Sequence, residues 1–119
     1  MSSNFDSFKE ARFGFALGVG GQGLWQQRIG VAVGSWGIKR MKTRWGTCNQ
    51  RAGRIWLNSE LIKKPVACIE YVVVHEMLHL VEPTHSDRFI ALMNKHYPAW
   101  REARAELNEL PLAAAVWKE

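Results

Sequence analysis

Within VVVHEMLHLVEPTH, residues 72–85, three histidines and two glutamates interrupt an otherwise apolar run. Charged and polar groups are costly to bury without partners, so the segment implies something inside the fold that pairs with them. His75 and His79 lie four residues apart and project from one face of a helix. Glu76 sits beside His75. This is the H-E-x-x-H pattern, in which two imidazoles hold a zinc ion and the glutamate serves as general base. Imidazole nitrogen ligates zinc well, and a catalytic site keeps an open position for water. Such an ion lowers the pKa of that water to about 7. Without an ion, the same three residues would have to be satisfied by hydrogen bonds or solvent on an almost wholly apolar helix, which is the weaker reading.

A site of this kind needs a third ligand. His85 follows His79 by six residues, across the break at Pro83, where the chain can turn back. The H-x3-H-x5-H spacing is that of the metzincin proteases. Glu82, however, stands where that pattern has glycine, no methionine turn is evident, and Met93 reads as core. The rival ligand is Glu102 or Glu106 on the last helix. His85 is favoured because it is near in sequence and sits at a forced turn. Cys48 is a further ligand candidate, unneeded beside three histidines. Glu70 and Glu82 read as solvated or capping residues rather than partners of the ligands. His96 and Tyr97 are candidate oxyanion donors, with surface or core roles favoured.

The elements that must position these residues are legible from periodicity. Residues 65–81 are apolar on nearly every side, which predicts a buried helix, stopped by Pro83. THSD caps a helix over RFIALMNKHY, and Pro98 opens a last helix, PAWREARAELNEL, closed by Pro111. Upstream, residues 29–58 carry β-branched and aromatic residues spaced by glycines, predicting two or three antiparallel strands with a turn at Asn49–Gly53. Ser59 is the expected cap of a short helix over ELIKK. The GVGGQG stretch at residues 18–23 reads as a loop, not a phosphate cradle, because no strand precedes it and no helix follows. Strands followed by helices make an α+β domain.

In WGTC, Trp45 and Cys48 read as core residues and Gly46 as a tight bend. The sharper reading has them lining a cleft beside a strand that offers its backbone to an extended peptide. In KRMKTR, a strand would place Arg40, Lys42 and Arg44 on one face, solvated or facing an anionic partner. The chain has 119 residues and a formal net charge of +5, which permits nucleic-acid contact without establishing it. No apolar run reaches membrane-spanning length, and the polar start lacks a signal-peptide layout. Two cysteines are too few for a disulfide scaffold, and a reducing cytoplasm is the simplest home.

Three stretches, MKTRWGTCNQRAGRIWLNSELIKKP, CIEYVVVHEMLHL and THSDRFIALMNKHYPAWREARAELN, resemble the YgjP-like metallopeptidases, a family related to the SprT-like and WLM zinc-dependent proteases. The resemblance runs from about Ile38 to Leu112, and residues 1–35 match poorly. It implies a zincin-like fold: a small sheet packed on the active-site helix. It also implies that His75, His79 and His85 bind the metal and that Glu76 is the catalytic base. The expected organisation is a poorly matched, flexible segment over residues 1–23 and one metallopeptidase domain over residues 24–119. The expected activity is zinc-dependent hydrolysis of a peptide or protein with one Zn2+ ion. The alternative is a non-catalytic, metal-stabilised module that binds nucleic acid or another anion through the basic stretch.

Overall fold

A computed structural model describes residues 24–109. The expected GVGGQG loop, the flexible N-terminal segment and the stop at Pro111 lie outside the described residues. Helix α1 (Leu24–Ile29) leads into strands β1 (Ser35–Lys39), β2 (Gly46–Asn49) and β3 (Arg54–Asn58). A 3-10 turn, Ser59–Lys63, then precedes helices α2 (Val66–Leu78), α3 (Asp87–His96) and α4 (Trp100–Asn108). The class is α+β, as expected.

The three strands form one sheet in the order β1-β3-β2. β2 and β3 are an antiparallel hairpin that pairs Asn49 with Arg54 and turns over residues 50–53, inside the expected turn at Asn49–Gly53. The Asn49 side chain accepts the Ala52 N–H there at 3.0 Å, and Gly53 adopts φ 65°. β1 pairs with β3 in parallel, from Ser35 opposite Arg54 to Lys39 opposite Asn58. The sheet is therefore mixed, which corrects the expectation of wholly antiparallel strands. The reason lies in residues 40–45, which carry the chain from β1 across the end of β3 to β2 on the far side. This connection also corrects the reading of KRMKTR as a strand: β1 ends at Lys39, and Arg40, Lys42 and Arg44 are exposed on irregular chain.

Asn58 pins that connection where it passes over β3. Its side-chain amide donates to the carbonyls of Met41 (2.9 Å) and Arg44 (2.8 Å), and its backbone N–H donates to Trp45 O at 2.9 Å. Its Oδ1 accepts the Glu60 N–H at 2.9 Å, so Asn58, not Ser59, caps the 3-10 turn. The side chain is fully buried and uses both ends of its amide, as burial demands.

α2 is the centre of the molecule. From Tyr71 to Leu78 every residue is buried, with the sheet on one side and α3 and α4 on others. β3 alternates toward it: Ile55 and Leu57 are buried against the core, while Arg54 is exposed. On the opposite face Trp56 lies over Gly37, where a Cβ would come within 2.3 Å of the ring. The Ser86 hydroxyl accepts the Phe89 N–H and starts α3, which buries Phe89 and Met93. Met93 is core, as read from the sequence. α4 buries Trp100, Ala103 and Leu107, a spacing of three and four that faces α2.

α1 was not foreseen. It buries Trp25, whose indole N–H donates to Glu70 at 3.2 Å and whose ring meets Tyr97 edge-on at 5.7 Å. Glu70 is thereby occupied away from the histidines. Among the described residues no helix is long and apolar enough to cross a membrane.

Candidate metal centre

The last turn of α2 carries His75 and Glu76 inward, 2% and 3% exposed, because the helix is buried on that side by the sheet and α3. His79 is the C-terminal cap residue and half-buried. Past it, the chain tightens through Leu80 and Val81 and breaks at Pro83, which brings His85 back over the helix end. One ligand nitrogen from each of His75, His79 and His85 lies within 4.8 Å of the others. The ring centroids are 4.8 Å (His75–His79), 5.1 Å (His75–His85) and 4.7 Å (His79–His85) apart.

The ring nitrogens are oriented. His79 Nδ1 is 3.1 Å from the Glu82 carbonyl, to which it donates, leaving the lone pair on Nε2. That Nε2 is 2.9 Å from His85 Nε2. Two ring nitrogens this close share a proton or a cation, since facing lone pairs repel. His75 Nδ1 lies 3.3 Å from Glu76 Oε2. Burial holds His75 well below the usual histidine pKa, and the neighbouring His79 and His85 add to the shift. Burial also lowers His79. Both imidazoles are thus neutral at physiological pH, the form that ligates metal. A divalent ion fits this donor set.

One side chain below the cluster went unrecognised in the sequence. Phe89 is fully buried and packs against all three imidazoles, 4.6 Å from His79 in a stacked arrangement and 5.1 Å from both His75 and His85. Its signal was the four-residue spacing from His85 at the start of α3, which reads equally well as core.

The cluster forms the floor of an open cleft of about 480 Å³. β2 makes one wall through Gly46, Thr47 and Cys48, and Thr43, Arg44 and Gln50 reach the rim. Gly46 is required by contact: a Cβ there would lie 2.9 Å from both Glu76 Cγ and Val72 Cγ1. Trp45 is buried core, as expected, whereas Cys48 does line the cleft. The Cys48 thiol is pushed up to about 11 by burial and by the Glu76 carboxylate, and it is not part of the histidine cluster.

The other candidates lie elsewhere. Glu106 is beside the buried thiol of Cys68, 3.7 Å from its sulfur, and neither Glu102 nor Glu106 joins the cluster or the cleft lining. The Tyr97 hydroxyl donates to Ala67 O at 2.9 Å, and neither Tyr97 nor His96 lines the cleft. Glu82 contributes through its backbone, holding His79, while its carboxylate faces Arg88 at 3.8 Å.

A mixed sheet laid on a buried helix, with three histidines converging at that helix's end, defines an α+β domain built around a histidine cluster that could hold a metal ion. The family description "YgjP-like, metallopeptidase domain" matches residues 22–110, most of the chain. The chain belongs to that metallopeptidase family. No curated protein and no solved structure gives a match.

Proposed function

We propose that this chain is a zinc-dependent metallopeptidase in which His75, His79 and His85 hold one ion and Glu76 is the general base. The observation that carries the reading is the convergence of three imidazoles beside a buried carboxylate on the floor of a cleft walled by an edge strand. When bound, the ion would supply Lewis acidity toward the substrate carbonyl and the attacking water.

The chain's own groups then have defined tasks. Glu76 Oε2 takes the proton of the attacking water and returns it to the leaving amine. Burial of Glu76 keeps bulk water from competing, and Gly46 leaves the carboxylate room against β2. The Glu82 carbonyl fixes the His79 tautomer. Among the described residues β2 is bonded to β3 on one side only. Its outer edge offers backbone groups on which an extended peptide can add as a further strand.

Metal content per chain, measured on the zinc-supplied protein by elemental analysis, tests the site: near one ion in the wild type and a clear loss in His85→Ala. Glu76→Gln tests the chemistry, with metal retained and peptide hydrolysis abolished. Unchanged turnover in that variant rejects the catalytic assignment. The exposed Arg40, Lys42 and Arg44 favour the second reading, a metal-stabilised module that binds nucleic acid. On that reading polyanion affinity would be the measurable activity, and Glu76→Gln would leave it intact.

A further inference from the structure

The lip of the cleft carries one cation in a built position. Among the described residues that line the cleft, Arg44 is the only lysine or arginine, and Glu76, on the floor, is the only carboxylate. Neither the Lys63–Glu60 and Arg88–Glu82 ion pairs nor the His75–Glu76 contact engages Arg44. Its side chain is exposed while its main chain is fixed. Asn58, fully buried, clamps the Arg44 carbonyl at 2.8 Å, with Met41 and Trp45 held on either side.

We infer that Arg44 selects substrates that carry a carboxylate next to the bond to be cut; this rests on the peptidase reading. A guanidinium presents a planar fork of donors that pairs with a carboxylate through two parallel hydrogen bonds. Clamping the backbone confines the arm to the lip, so less freedom is lost when it engages a ligand. The guanidinium at the lip gives a substrate carboxylate a partner away from the floor, where the histidines and Glu76 lie, so the neutral amide is left over the histidines. The flanking Lys39, Arg40 and Lys42 and the net charge of +5 draw acidic peptides toward the same end of the sheet. The carboxylate comes either from an Asp or Glu side chain or from the C-terminus of the substrate.

The test uses matched fluorogenic peptides that differ only by Glu against Gln near the scissile bond, or by a free against an amidated C-terminus. The zinc-supplied wild type should prefer the acid member of one pair by up to ~5-fold in kcat/KM, the scale of an exposed ion pair. The preference should collapse toward one in Arg44→Ala and invert in Arg44→Glu. Which pair shows it identifies the source of the carboxylate. The same peptides titrated into zinc-supplied Glu76→Gln protein, followed by tryptophan fluorescence, give a binding ratio that needs no turnover. If the wild type cleaves neither pair, the peptidase reading fails, and this titration still decides the role of Arg44. Acid and neutral peptides treated alike by the wild type, or a preference that survives in Arg44→Ala, would overturn the assignment.

Discussion

Phe89 gives the histidine cluster its floor. Its ring touches all three imidazoles, so it sets their tilt as well as filling space. Phe89→Ala should cost about 3–5 kcal/mol in denaturant unfolding and weaken metal retention, whereas Phe89→Leu should keep most of both. Cys48 offers a check on the electrostatics. With its pKa at about 11, roughly one thiol in a thousand is ionised at pH 8, so alkylation should run ~100-fold slower than for a free cysteine. The rate should climb about tenfold per pH unit up to that value, and Glu76→Gln, by removing the neighbouring charge, should accelerate it. At this scale the sequence was most informative. The four-residue step between His75 and His79 specifies one helix face, and Pro83 forces the return of His85. Phe89 was illegible because a phenylalanine at helical spacing looks the same whether it packs on leucines or on imidazoles.

The cleft wall depends on how closely β2 approaches α2. Gly46→Ala would put a methyl 2.9 Å from Glu76 Cγ and Val72 Cγ1. Thermal unfolding should show a loss of about 1–3 kcal/mol from such overpacking, and displacement of Glu76 should lower kcat more than it raises KM. Removing the cap of α3 by Ser86→Ala should cost ~1 kcal/mol, with the loss visible in the same unfolding curves. The helices were readable as elements because their apolar spacing and their prolines mark both faces and ends. Strand direction was not. Alternating residues show which face a strand buries, yet say nothing of whether its neighbour runs parallel, and the β1–β3 pairing is decided by where residues 40–45 travel. The alternation of Arg40, Lys42 and Arg44 mimicked a strand without the apolar partner face that a strand needs. Ser59 and Asn58 are both good caps by type, and only the demand of the buried connection for two amide hydrogens selects Asn58. The six-residue α1 is too short for its periodicity to stand out.

At the scale of the molecule, α2 joins the histidine cluster to the core. The helix that presents His75 also packs the sheet, α3 and α4, so an ion bound at the proposed site would couple to folding through it. Chelation should therefore lower the unfolding temperature, and added zinc should restore it. At a free zinc concentration ~100 times Kd the native state gains about 2.7 kcal/mol. His85→Ala should shrink that shift, while Arg44→Ala should leave it unchanged.

The placement of β3 between its neighbours also sets an order of assembly. The β2–β3 hairpin closes over a four-residue turn, residues 50–53, and needs only local contacts. Parallel pairing with β1 must close a longer loop and carry residues 40–45 over the strand end before Asn58 has anything to clamp. Loop closure over longer separations slows pairing, so β1 and the lip should join after the hairpin has docked on α2. Substitutions at Ile55 or Leu57 would then slow refolding, while those at Asn58 or Ile38 would chiefly speed unfolding. In such a pathway the lip of the cleft is the last part of the domain to form and the first to open.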